Sequence, residues 1–498
     1  MKKHVAVLFL LTTLLISGCG KKASSLSSSE SPPVDSYEPM PSGFEGGHNQ
    51  NGYLEGDMYI HVDSGVREFK QGETKVPYTL GFKYCDEYFL SPATTYNADL
   101  SMMSLGLSLA TATKARGDEF FDSLEFEFYE SNGYETEPTK DSVGYYIATK
   151  SIDDYELITL GIRGFNYKKE WTNNLIIGEE ENHKGFEERA NDIVNYLYTD
   201  YITKASKTVK LWIAGYSRAG SIAQIVADII LDNYILDVSP DNMYVYTFEA
   251  PASLAAELSQ EQFDNVHNIV NSGDLIANVI PESYGLVRCG KTYDIYDVNI
   301  DKLAKEFDSK MVIPEFKLPA NVTDQFTNDA EFRRYVLNII FNSENADDTT
   351  IANTRRQFVQ NYQNELSAIV GDMFSLNEDT LKELAEALKK KGLGVVTMFT
   401  DETGNSLADF FKPYFQKDNI SITDNDLITN CAALAKAIKN LFLPVLTLFL
   451  SESYRPLFTR IIDFHYPEVT YLLLKNYHNK LANNQKSRTI NDSALFFS

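Results

Sequence analysis

The chain has 498 residues, 43% of them hydrophobic and 12% aromatic, enough to bury one large core or a core with an inserted domain. Its formal net charge of −25 excludes nucleic acid as a partner and excludes electrostatic docking to anionic lipid, because both need a basic face to offset phosphate charge. Apart from Cys19, only Cys85, Cys289 and Cys431 are present. They allow one disulfide at most and have no CxxC spacing, so no metal and no other cofactor is expected.

At the start of the chain, Lys2 and Lys3 precede an apolar run from Val5 to Ile16. The run is too short to span a bilayer as a helix and has the pattern of a secretion signal. It closes on Ile16-Ser17-Gly18-Cys19, which resembles the lipobox of bacterial lipoproteins. That resemblance implies cleavage after residue 18, diacylglyceryl attachment to the Cys19 sulfur, and an exported protein anchored on the outer face of a bacterial membrane. An ordinary signal peptide with a chance cysteine is the alternative. From Lys21 to about Gly52 the chain is rich in Ser, Pro, Gly and Glu and almost without large aliphatic residues. Such a stretch cannot bury a core, so residues 19–52 are expected to be a flexible tether.

The body from residue 53 to about 300 predicts alternating helices and strands. Asn97 to Thr113 carries apolar residues at helical spacing. Val143 to Thr149 and Tyr155 to Ile162 are strand-like and joined by a polar turn, so they are expected to be neighbours. Gly185 to Ser206 places Phe186, Ala190, Ile193, Val194, Leu197 and Tyr201 on one helical face. Val209 to Ala214 reads as a strand, Ser221 to Tyr234 as a helix, and Met243 to Phe248 and Val266 to Val270 as strands. This alternation calls for an α/β fold with a mostly parallel sheet flanked by helices.

Beyond Asp301 the pattern is helical, as in Arg355 to Val370, Leu376 to Lys391 and Asp426 to Leu443. In the second of these, Asn377 and Gly392 are the expected caps and Leu381, Leu384, Ala385 and Leu388 the buried stripe. Leu441 to Leu450 contains Pro444 and is too short to cross a membrane. Residues 301–455 are read as an inserted α-helical cap, and 456–498 as a C-terminal segment returning to the core.

The chemistry centres on Leu211-Trp212-Ile213-Ala214-Gly215-Tyr216-Ser217-Arg218-Ala219-Gly220, where a strand runs through small residues into a helix. A nucleophile elbow puts its serine in a strained backbone conformation, and the residues two before and two after must be small so that strand and helix can approach. Gly215 and Ala219 meet that demand in the form GxSxA. The pentapeptide alone is also compatible with an ordinary strand-to-helix turn; the strand before it and the helix after it favour the elbow.

Several further motifs occur in order: Ile162-Arg163-Gly164-Phe165, Trp171 eight residues after Arg163, His183-Lys184-Gly185-Phe186, and Tyr246-Thr247-Phe248-Glu249-Ala250-Pro251. With the elbow, they resemble the class 3, fungal-lipase-like branch of the α/β-hydrolases over roughly residues 95 to 300 plus a C-terminal histidine. The resemblance implies an α/β-hydrolase core and a triad in the order Ser, Asp, His. Asp274, in the turn Asn271-Ser272-Gly273-Asp274, matches the acid, although a turn-stabilising aspartate is an equally ordinary reading of that turn by itself. His465, in Asp463-Phe464-His465-Tyr466-Pro467, is similar to the family's DHxxY element and is the expected base, with the aspartate displaced and Pro467 intruding. His478 reads as a surface helical histidine and His183 as a structural one. The oxyanion donors implied are the backbone N–H groups of Arg218 and Phe165; phenylalanine lacks the hydroxyl that many relatives carry there, and one such donor contributes on the order of 3 kcal/mol to the transition state.

The expected function is an esterase or lipase working through an acyl-serine on lipid or other carboxylic esters. Two alternatives remain open at this point: a thioesterase, deacylase or peptidase on the same triad, and a catalytically silent surface binding protein that keeps the fold.

Overall fold

The computed structural model describes residues 43–48, 54–69, 74–134, 142–164, 174, 176–177, 182–232, 238–255, 260–280, 285–309, 311–319, 326–341, 349–391, 394–442, 445, 448, 451 and 453–495. Cys19, Phe165, Trp171 and Gly392 lie outside the described residues, as do the expected signal and all of the expected tether except 43–48.

An antiparallel sheet comes first, formed by β1 (Gly43–His48), β2 (Leu54–Phe69) and β3 (Thr74–Tyr84) in that order. The end of the expected tether is therefore a strand: β1 pairs with β2 from Gly43 opposite Tyr59 to His48 opposite Leu54. A ladder needs backbone N–H and C=O groups, whereas a shortage of aliphatic side chains excludes only a buried core. Next come α1 (Ala98–Ala110) and α2 (Lys114–Ser123). Asn97 caps α1, its Oδ1 accepting from the Leu100 N–H at 3.0 Å. Leu100, Met103, Leu105, Leu107 and Leu109 point in several directions around α1, yet all are buried. The helix is covered on both sides, by the β2–β3 hairpin and by the central sheet.

The central sheet uses β4 (Phe128–Asn132), β5 (Tyr145–Ile152), β6 (Tyr155–Ile162), β7 (Thr208–Tyr216), β8 (Met243–Phe248), β10 (Val266–Val270) and β12 (Lys291–Asp294). Between them lie α3 (Lys184–Asp200), α4 (Arg218–Asp232) and a two-stranded ribbon of β9 (Leu254–Ala255) and β11 (Leu286–Val287). The order is β12-β10-β8-β7-β6-β5-β4, parallel from β12 to β6 and antiparallel at β5 and β4. This is the expected mostly parallel α/β sheet. Along β7, Trp212, Ala214 and Tyr216 face the core beneath α1 and the hairpin, while Leu211 and Ile213 face the core beneath α3 and α4. Both faces are covered, which is why the strand is a continuous apolar run.

The remainder is helical: α5 (Ile300–Phe307), α6 (Asp329–Phe341), α7 (Thr349–Phe374), α8 (Glu378–Lys391), α9 (Gly394–Phe399), α10 (Asn405–Lys417), α11 (Asp424–Ala437), α12 (Arg455–Asp463) and α13 (Pro467–Leu495). Asn377 caps α8 through Oδ1, which accepts from Thr380 N–H at 2.9 Å. Leu384 and Leu388 are buried, as the stripe predicts. No helix of the described residues is long and apolar enough to cross a membrane. Cys85, Cys289 and Cys431 are all buried, and none of them is in a disulfide among the described residues. His478 is half-buried rather than a surface histidine, with Nε2 2.7 Å from Tyr96 Oη, because α13 packs back on the α/β core.

The helical part has its own core, containing Phe332, Leu337, Ile369, Phe411 and Leu434, and that core includes Leu457, Phe458 and Ile461 of α12 as well as Leu275. Phe464, just past α12, already belongs to the core of the α/β part. A buried ion pair fastens the seam: Arg460 Nε donates to Asp329 Oδ1 at 2.7 Å and an Arg460 Nη donates to Pro314 O at 2.8 Å, while Tyr296 Oη donates to Asp329 Oδ2 at 2.9 Å. Removing one partner strands the other charge away from water. Asp329→Ala is therefore expected to lower unfolding stability by about 3 kcal/mol, read from urea melts, with Arg460→Leu in the same background recovering a substantial part of the loss. Equal stability of Asp329→Ala and wild type would refute this role for the pair.

Candidate active site

Ser217 occupies the turn between β7 and α4 with φ of 55°, in the left-handed region that L side chains rarely adopt. Two glycines allow the turn. A Cβ on Gly215 would collide with the Ala219 backbone, and one on Gly220 would come within 2.7 Å of the Ala250 Cβ and 2.9 Å of the Gly215 carbonyl oxygen. The methyl of Ala219 itself is buried in the core under α4. The GxSxA variant is accommodated because Gly220 provides part of the clearance where helix and strand cross.

Asp274 lies in the turn after β10, where its backbone N–H donates to Asn271 O at 2.9 Å and its Oδ1 accepts from Ile276 N–H at 2.8 Å. Leu275 N–H donates to Ile461 O at 3.0 Å, so the acid's turn is tied directly to α12. His465 lies between α12 and α13, with Pro467 as the first residue of α13, a place where a proline's missing N–H costs nothing. The intruding proline thus starts a helix rather than disrupting the motif.

These segments bring the three residues together. His465 Nδ1 is 2.6 Å from Asp274 Oδ2, and Nε2 is 2.8 Å from Ser217 Oγ. Ser217 is 8% exposed, His465 2% and Asp274 0%, so exposure falls along the line of hydrogen bonds from the serine to the carboxylate. With Nδ1–H donated to the carboxylate, Nε2 carries the lone pair that can take the serine proton. The N–H of Arg218 is the first of α4, at the positive end of the helix dipole beside Ser217. Phe165 is outside the described residues, but its neighbour Gly164 lies against the Tyr216 carbonyl. Arg163 braces this edge, its Nη donating to Gly133 O at 3.1 Å and its guanidinium lying 4.7 Å from the Tyr134 ring centre.

His183 is placed apart from the triad. It precedes α3, stacks on Phe186 with ring centres 3.8 Å apart, and has Nε2 3.2 Å from Asn174 O. Burial lowers it to about 4, so it is neutral at physiological pH. A residue that lies in a quoted motif but is given no role there does join the site: Glu249, fully buried just after β8, with Oε2 accepting from Asn271 N–H at 3.0 Å. Its signal in the sequence is an acidic side chain where the apolar strand Tyr246-Thr247-Phe248 ends.

Residues 159–284 match the family model described as lipase (class 3). The core of this chain is that of a lipase-like serine hydrolase. It has the α/β-hydrolase fold with an additional helical region. Solved structures that align with the hydrolase include Rhizomucor miehei triacylglyceride lipase, at 17% identity over 40% of this chain and 79% of that one, with a TM-score of 0.32. A triacylglycerol lipase described by its serine protease triad aligns at 16% identity over 41% of this chain and 83% of that one, TM-score 0.31. Lipase II from Rhizopus niveus aligns at 14% identity over 39% and 81%, TM-score 0.29. No curated protein sequence matches the chain.

The buried histidines of the hydrolase give its stability a definite acid sensitivity. His267 in β10, held by Ala93 O at 2.9 Å, is also lowered to about 4, again by burial first. An unfolded histidine takes up its proton near pH 6.5, whereas these stay neutral in the fold until about pH 4. The unfolded chain therefore gains protons first, and stability falls as pH drops from about 6.5 to 4. In thermal melts across that range, His267→Gln is expected to flatten part of the decline; an unchanged slope would reject the assignment.

Proposed function

We propose that this chain is an exported, membrane-anchored serine hydrolase that cleaves lipid or other carboxylic esters. The observation that carries the reading is the continuous hydrogen-bonded line Ser217 Oγ, His465 Nε2, His465 Nδ1, Asp274 Oδ2 on a strained strand-to-helix turn. In the first half-reaction Ser217 Oγ attacks the ester carbonyl carbon as its proton passes to His465 Nε2. Negative charge collects on the former carbonyl oxygen, next to the Arg218 N–H, with the Phe165 N–H as the second proposed donor. Asp274 stabilises the imidazolium and holds the ring. Collapse of the tetrahedral intermediate breaks the ester C–O bond, and the leaving alcohol takes the proton from His465. Water then repeats the sequence on the acyl-serine, returning Ser217 and releasing the acid.

A lipid substrate is favoured by the large apolar helical core that extends to Leu275, beside the acid, and by the lipobox, which would hold the enzyme at a membrane through Cys19. The leaving group is not fixed by a triad, so thioesters form the second reading.

A fluorophosphonate probe is expected to label the wild type at Ser217 and to leave Ser217→Ala unlabelled; p-nitrophenyl ester hydrolysis should fall by about four orders of magnitude or more in that variant. A wild type that takes no label, or equal labelling of both proteins, would overturn the reading. Separately, Cys19→Ser expressed in a bacterial host is expected to lose incorporation of labelled fatty acid and to leave the membrane fraction. Retention in that fraction with no change in labelling would reject the anchor.

A further inference from the structure

Glu249 follows β8 beside the point where Ser217 follows β7, and both residues sit in the left-handed backbone region, with φ of 47° and 55°. The strand ends are cross-linked: Ser217 N–H donates to Phe248 O at 2.7 Å, and Glu249 N–H donates to Ile269 O at 2.9 Å. A strained conformation of this kind persists only where its surroundings hold it, and such positions concentrate at working sites.

The Glu249 side chain reaches all three catalytic segments. Oε2 accepts from the N–H of Asn271, the first residue of the turn that ends in Asp274. Oε1 lies 3.2 Å from Thr470 Oγ1, which lies 2.7 Å from Tyr216 Oη, and Tyr216 Oη in turn donates to the His465 carbonyl at 3.1 Å. Tyr216 is the residue before Ser217. One buried carboxyl thus touches the acid's turn and, through two hydroxyls, the base's backbone and the residue next to the nucleophile.

Its ionisation state follows from the same surroundings. Burial first, and then the charge of Asp274 beside it, hold the Glu249 carboxyl well above the usual carboxylate range. The groups around it are Asp274 and Asn271 on the turn after β10, Tyr216 on β7, Thr470 on α13 and the Arg288 guanidinium, whose Nε donates to Ala250 O at 2.6 Å. Burial lowers Arg288 to about 10 against the opposing pull of Glu249. Two neighbouring carboxyls in a dry site are most stable with one proton between them.

We propose that Glu249 is a positioning residue of the triad, a neutral carboxylic acid that donates a hydrogen bond to the Asp274 carboxylate and braces the turns carrying Ser217, Asp274 and His465. The proposal rests on the serine hydrolase reading above. The donated hydrogen bond holds the Asp274 carboxylate in place against His465 Nδ1, so that the carboxylate orients the ring and faces the imidazolium. When Glu249 loses its own proton as pH rises, two negative charges face each other across the acid's turn, and turnover declines.

The test compares the full chain with Glu249→Gln and Glu249→Ala, measuring kcat and KM for p-nitrophenyl butyrate from pH 5 to 10. Glutamine keeps a donor and an acceptor without a titrating proton. Glu249→Gln is expected to keep kcat within about threefold and to lose the decline as pH rises, while Glu249→Ala is expected to lower kcat by about tenfold to a hundredfold with KM changed less than about twofold. At pH 5, above the ordinary carboxylate range, an infrared difference spectrum of wild type minus Glu249→Gln should contain the C=O stretch of a protonated carboxyl. Wild-type kcat in folded Glu249→Ala, a loss in Glu249→Gln as large as in Glu249→Ala, or absence of the protonated-carboxyl band would each overturn the proposal. If Glu249→Ala does not fold, the infrared band and the Glu249→Gln profile decide. A wild type that resists the fluorophosphonate probe overturns the hydrolase reading itself, whereas a labelled wild type matched in rate by Glu249→Ala overturns only the role of Glu249.

Discussion

The imidazole of His465 makes two short hydrogen bonds in opposite directions, to Ser217 and to Asp274, and each of the three residues is carried by a different part of the chain. Ser217 and Asp274 follow β7 and β10, two strands of one sheet with β8 between them, and the ladder of the three fixes their separation. The histidine has no such ladder. Its position is set by α12, by the Leu275 N–H bond to Ile461 O and by the burial of Phe464 in the α/β core. Most of the other features described for the site serve to make that placement repeatable.

Legibility in the sequence followed the same division. Parts of the fold governed by local pattern were readable: the apolar run of β7, the amphipathic face of α3, the Asn377 cap of α8 and the small residues around Ser217. The parts governed by contacts between distant residues were not. β1 lies in a stretch whose composition excludes a core, and it forms because the edge of β2 offers it backbone partners. The hairpin of β2 and β3 and the burial of α1 on two sides depend on one another, and neither has a separate signature. Glu249 stood in view within Phe248-Glu249-Ala250-Pro251, but its position depends on Asn271 and Thr470, far along the chain.

The elbow gives a smaller example. Reading positions two before and two after the serine identifies Gly215 and Ala219 as the residues that must be small. In three dimensions part of the clearance at the crossing belongs to Gly220, against the Ala250 methyl, and the Ala219 methyl is packed under α4. A helix advances about 100° per residue, so a side chain one position further along points to a different neighbour.

The single apolar core that joins α12 to the helices before it has a consequence for how this architecture could arise or be lost. An insertion attached only by its two ends can be gained or shed by splicing a loop, leaving the host machinery in place. Here the inserted helices supply the packing partners of Leu457, Phe458 and Ile461, on the element that delivers the base. Trimming the insertion would expose that face and free His465 along with it. The helical region and the placement of His465 are therefore mechanically one unit, because shortening the first removes the packing that holds the second.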